Sequence, residues 1–144
     1  MKKDREELLL KMLYESNIMD NYGMVYDQKI QEYFLNTIGN TYVIYFRNNE
    51  RIIRFSCNYE YNNRTTIGIE ISNNKDIITI EDWINLKYGF GKYQCFSWPN
   101  EEDFVQKVRE MISVLEQIFS EEKMSKILKG EHWEHVPFGW FGQR

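Results

Sequence analysis

The chain has two histidines, and they stand close together in the string His132-Trp133-Glu134-His135. Two imidazoles beside a carboxylate are a metal-ligating combination. A zincin helix, however, places its histidines at i and i+4 with a glutamate directly after the first. A catalytic zinc also needs three protein ligands, and no third is evident here. Glycines 89 and 91 bracket Phe90 in a Gly-Phe-Gly turn that lacks both the GxGxxG pattern and the Gly-Lys-Ser/Thr of a phosphate loop. The expectation is a chain with no catalytic residues, no metal and no cofactor. The foothold for a small enzyme, as an alternative, is the His132/His135 tail.

Nucleophilic chemistry has little more to stand on. Cys57 and Cys95 match no metal or redox spacing. Cys95 paired with a histidine would be a nucleophile and base, but no local signature accompanies it, and buried cysteine is common. Paired carboxylates occur at Glu81-Asp82 and at Glu101-Glu102-Asp103. Both groups open predicted helices, where negative charge stabilises the positive end of the backbone dipole. Their functional reading is an acidic contact surface.

These residues must be held by a scaffold, and its clearest part is residues 41–72. In Tyr42–Arg47, Tyr42, Ile44 and Phe46 alternate with Val43, Tyr45 and Arg47. In the next run Ile53, Phe55, Cys57, Tyr59 and Tyr61 share a face opposite Arg54, Ser56, Asn58 and Glu60. In the third, Thr65, Ile67, Ile69 and Ile71 oppose Arg64, Thr66, Gly68, Glu70 and Ser72. Period-two alternation across three runs, broken at Asn48-Asn49-Glu50 and Asn62-Asn63, predicts an antiparallel meander with one buried and one solvated face. The polar face carries Arg54, Arg64, Glu60 and Glu70, a mosaic suited to cross-strand ion pairs. It lacks the aromatic pair of a typical RNA-binding sheet, which argues against single-stranded RNA.

Helical spacing appears on both sides of the meander. Leu8, Leu9, Met12 and Leu13 predict a helix over 4–15, and Ile30, Tyr33, Phe34 and Ile38 one over about 26–38. Thr79 with Asp82 three residues on forms a capping-box variant for a helix ending at Gly89. Tyr93–Trp98 is a plausible fourth strand ended by Pro99. Asn100 is the expected cap of a long helix over 101–119, the best candidate to cover the meander's apolar face. A further helical stretch over 121–129 stops at Gly130, and the aromatic tail after it is irregular. The predicted class is α+β: an antiparallel three- to four-stranded β-meander with helices packed on one face, in a single domain over residues 1–144.

Composition narrows the function classes. A net charge of −4 and a pI near 5.3 argue against a nucleic-acid partner. No apolar run reaches membrane-spanning length. The basic start of the chain is interrupted by acids, unlike a secretory signal, so a cytoplasmic location is expected. Aromatic residues make up 16% of the chain, more than a core of this size absorbs, which suggests aromatic contact surface.

Small size, acidity, aromatic character and the closing Trp133-Glu134-His135-Val136-Pro137-Phe138-Gly139-Trp140 together resemble the single-domain immunity proteins that bacteria pair with polymorphic toxins. The resemblance implies a protein-binding module that neutralises a cognate toxin by covering its active site. Steering toward a basic partner would then fall to acidic groups around the helix starts, with an aromatic anchor. The candidates are Glu81, Asp82, Trp98, Glu101, Glu102 and Asp103. A structural subunit, monomer or homodimer, is the remaining class.

Overall fold

The computed structural model describes residues 2–28, 41–59, 63–89 and 96–137. The meander forms as the alternation predicts: β2 (Thr41–Arg47), β3 (Ile52–Tyr59) and β4 (Arg64–Ser72) pair antiparallel in succession. Three short strands extend it to six. β1 (Val25–Tyr26) adds to β2, while β5 (Ile77–Thr79) and β6 (Ser97–Pro99) both pair with β4. The residues expected to begin a helix at 26 therefore begin on a strand, with Tyr26 opposite Phe46. Gln28 is helical, and residues 29–38 of that predicted helix lie outside the described residues, as do the Asn62 half of the hairpin turn and the first part of the predicted fourth strand. Pro99 is tolerated in β6 because that strand lies at the sheet edge.

The hairpins β2–β3 and β4–β5 are turned by the same device. Asn48 Oδ1 accepts hydrogen bonds from the amides of Glu50 and Arg51, and Asn73 Oδ1 accepts them from Lys75 and Asp76. A short amide side chain here reproduces a backbone turn, which is why both connections begin with asparagine. Asn63, before β4, sits at φ +62°, a left-handed conformation asparagine adopts more readily than most residues.

Four helices accompany the sheet among the described residues. α1 (Lys2–Ser16) ends where Asn17 turns left-handed at φ +63°. α2 (Ile80–Tyr88) starts on the predicted capping box. Thr79 Oγ1 accepts from the Asp82 amide at 3.1 Å and donates to Asp82 Oδ2 at 2.6 Å. α3 (Phe104–Phe119) is capped by Asp103, whose Oδ1 accepts from the amides of Val105 and Gln106. The expected cap, Asn100, is instead tied to the sheet: its amide donates to Asn63 O and its side chain accepts from Thr65. α4 (Glu122–Leu128) is a separate helix rather than a continuation of α3. It closes with Gly130 at φ +84° and amides 130 and 131 reaching back to Ile127 and Lys126, a Schellman ending.

The core lies on the sheet face that carries Ile44, Phe46, Phe55, Cys57, Ile67 and Ile71. α3 contributes Val108, Met111, Leu115 and Phe119 to it, so this helix does cover the meander. It shares the task with Leu9 and Leu13 of α1, Trp83 of α2 and Ile127 of α4. Each fully buried side chain of this kind is worth about 1.5–3 kcal/mol. The opposite face departs from the expected solvated surface. Val43, Tyr45 and Ser56 there are buried, and Arg54 pairs with Glu70 across β3 and β4 at 3.3 Å. Gly68 faces Ser56 in register, and a Cβ at Gly68 would approach the Ser56 hydroxyl to 3.0 Å.

The two asparagine turns differ in one respect. Asn48 Nδ2 also donates to Tyr22 O at 2.9 Å and Leu128 O at 3.0 Å. Asn73→Ala is expected to cost about 1 kcal/mol, and Asn48→Ala about 1–2 kcal/mol more, because two distant carbonyls lose their donor. Urea denaturation of both variants measures the difference; equal losses would mean the long-range bonds contribute nothing.

Candidate functional site

The residues nominated as partner contacts do not form one surface. Thr79 is opposite Glu70 on β4, and Pro99 is opposite Arg64. Six residues of strand put the starts of α2 and of the 101–103 turn roughly 20 Å apart. At the first start, Asp82 is buried and committed to the capping box, so it is corrected from a contact residue to a structural one. Glu81 is exposed; crowding around its carboxyl, and then the neighbouring Asp82 charge, push its pKa up. Trp98 is likewise no surface anchor. It lies in the core at 2% exposure, edge-on to Phe104 with ring centroids 6.1 Å apart. Trp98 sits between Ser97 and Pro99 on an edge strand, and the expectation of a strand alone does not say which face is buried.

The 101–103 turn does face solvent. Glu101, Glu102 and Asp103 are all exposed, and Glu102 approaches Lys107 at 3.8 Å. Beside it Asn63, Arg64, Pro99, Asn100 and Glu101 surround an open depression of about 600 Å³. This turn, with the separate Glu81, is the part of the predicted acidic surface that lies exposed.

The histidine tail is a clasp. Asp76 Oδ2, in the β4–β5 turn, accepts from Trp133 Nε1 at 3.1 Å and meets His135 Nδ1 at 3.0 Å. These bonds, His135 first, hold the Asp76 carboxyl below its ordinary range. Glu134 takes Lys87 Nζ at 2.8 Å and meets His132 Nε2 at 3.3 Å; the Lys87 bond is the larger reason its pKa is also lowered. Arg51 lies over the Trp133 ring, 5.0 Å from its centroid, and donates to His132 O. Val136 completes the attachment by entering the core. Both imidazoles are thus engaged with carboxylates. Among the described residues, no group of three or more His, Cys, Asp or Glu side chains could hold a metal ion. Cys57 is buried at the sheet centre, and Cys95 lies outside the described residues. No helix among the described residues is long and apolar enough to cross a membrane.

One feature on the helical side has no counterpart among the nominated residues. Ile84 and Tyr88 of α2, Val114, Gln117 and Ile118 of α3, and Glu121 line a mainly apolar cleft of about 530 Å³. Glu121 is the N-cap of α4 but makes no side-chain cap bond. The buried indole N–H of Trp83 reaches no acceptor with hydrogen-bonding geometry. The Glu121 carboxyl lies beside it, near enough for the indole to favour the carboxylate, yet burial outweighs this and raises its pKa. The sequence signal for this place is Ser120-Glu121-Glu122, a polar break directly after the apolar stripe of α3. It reads as a helix boundary, and only the packing of α2 turns it into the wall of a cleft.

No family model, curated protein or solved structure matches the chain.

The clasp has a definite pH dependence. Asp76 and Glu134 both have depressed carboxyls, so what they contribute is present above the ordinary carboxylate range of about 4 and is lost as pH falls through their lower folded values. The indole N–H resonance of Trp133 should therefore titrate toward its free position below about pH 4. In Asp76→Asn that titration should flatten; a titration identical to the parent's would show that Asp76 does not hold the tail.

Proposed function

We propose that the chain is a small acidic protein-binding module. The observation that carries this reading is the exposed Glu101-Glu102-Asp103 turn, an acidic surface beside an open depression. Several other polar groups nominated for chemistry are occupied: Asp82 caps α2, and His132 and His135 meet carboxylates in the clasp, while Glu81 is exposed at a separate place. A net charge of −4 favours a basic partner. The finer reading, taken from the resemblance to toxin immunity proteins, is that the partner is a toxin domain whose active site the module covers.

Electrostatic steering raises association rates by about 10-fold or more and fades with salt. Glu101→Lys with Glu102→Lys should slow association with the cognate partner about tenfold at low salt. The effect should largely vanish near 0.5 M salt, where the screening length is only about 4 Å. Asp103 is left intact because its carboxylate caps α3. The partner to use is the product of the adjacent gene, measured by stopped-flow mixing. An unchanged association rate at low salt sinks the acidic-surface reading. Co-expression tests the finer one: a toxic neighbour that remains toxic beside this chain rules out immunity.

A further inference from the structure

The cleft between α2 and α3 pairs an apolar wall with an acid, Glu121, whose neighbouring cation Lys87 is bonded to Glu134. Ile84 and Ile118 form its floor, both nearly buried, while Tyr88 at its edge is 48% exposed. A half-exposed tyrosine over a mainly apolar opening is a contact surface rather than a packed core. Glu121 borders that opening, and among the described residues its carboxylate makes no ion pair within 4 Å. The one cation that acts on it, Lys87, is already spent: its ammonium bonds Glu134 at 2.8 Å and lies 4.8 Å from the centre of the Trp83 ring. The Trp83 N–H lies behind it, buried and near the same carboxylate but without hydrogen-bonding geometry. A partly buried carboxylate in this position gains from a positive charge brought in from outside, more than a fully solvated one would.

We propose that this cleft receives a segment of a protein partner that presents an apolar side chain next to a lysine or arginine. The apolar group enters over Ile84 and Ile118, and the cation pairs with Glu121. The inference rests on the protein-binding reading and gives the partner a local chemistry, distinct from the long-range attraction of the 101–103 turn. It also gives Glu121 a reason to face the cleft instead of capping α4.

The test needs no partner. The full chain is titrated with hexylammonium, hexanoate, hexanol and methylammonium, following the methyl resonances of Ile84, Val114 and Ile118 and the Trp83 indole N–H. Hexylammonium should move these signals and bind about fivefold tighter than hexanoate, the scale of a modest ion pair. Methylammonium, with no apolar tail, should bind weakest. Glu121→Gln, which preserves size, should erase the preference for the cation while leaving hexanol binding unchanged. Equal binding of hexylammonium and hexanoate, a preference that survives Glu121→Gln, or shifts confined to other regions would each overturn the proposal. Sedimentation of the chain alone is the second arm. A dimer that hexylammonium disperses would place a second copy in the cleft and overturn the hetero-partner assignment. Failure of these probes leaves the acidic-turn reading standing, and an unchanged association rate for the turn variants leaves the cleft result standing.

Discussion

Helix α4 ends with carbonyls that have no partner inside the helix, and the turn at residues 48–51 supplies the donors. Asn48 Nδ2 bonds Leu128 O, and Arg51 Nε bonds Ile127 O at 2.8 Å. A guanidinium at this end also meets the negative pole of the helix backbone. The same two side chains reach further: Asn48 to Tyr22 O, and Arg51 to His132 O and the Trp133 ring. One hairpin turn of the sheet thus anchors the last helix, the 3-10 turn at Asp20–Tyr22 and the start of the tail. The approach is close enough that a Cβ at Gly130 would collide with the Glu50 side chain, so glycine is required there for space as well as for its positive φ.

This arrangement decides which polar groups remain available for recognition. Arg51, Asp76, Lys87, His132, Glu134 and His135 look chemically promising in isolation, yet they hold the tail and α4 against the sheet. The sheet is a scaffold for that purpose too, since β4 carries β3 along one side and β5 and β6 on the other. Two of the surfaces left over lie along α3. The acidic turn precedes its first residue, and the cleft involves its last turns. The helix is 16 residues long, so these two places are separated by roughly 20 Å. A partner burying the usual ~800 Å² on each side could touch both.

The alternation of residues 41–72 revealed the meander and its core face, because a period of two is what a sheet with a buried face requires, but not the burial of Val43, Tyr45 and Ser56 on the other face. The capping box at Thr79 and Asp82 was equally legible, since a threonine followed three residues later by a carboxylate satisfies local amides wherever it occurs. What was not legible depends on distance in sequence. Val25–Tyr26 becomes a strand because it meets Arg47 and Phe46, which helical spacing after residue 26 could not indicate. Asn100 and Asp103 are both good caps, and the choice between them is made by Thr65 and Asn63 claiming Asn100 for the sheet. Of the nominated contact residues, Glu81, Glu101, Glu102 and Asp103 lie at the surface. Asp82 and Trp98 were right in type for a contact but are consumed by capping and core packing, and Glu121 becomes notable only once α2 packs beside it.

The central claim is that recognition runs along α3, from the acidic turn to the cleft, and that the sheet serves as scaffold. Hydrogen exchange of the chain, alone and mixed with the product of its neighbouring gene, tests it most directly. The account predicts added protection in the peptides covering residues 99–106, 84–88 and 114–121, with exchange in β2, β3 and β4 unchanged. Added protection concentrated in the strands, with the α3 peptides unaffected, would contradict it.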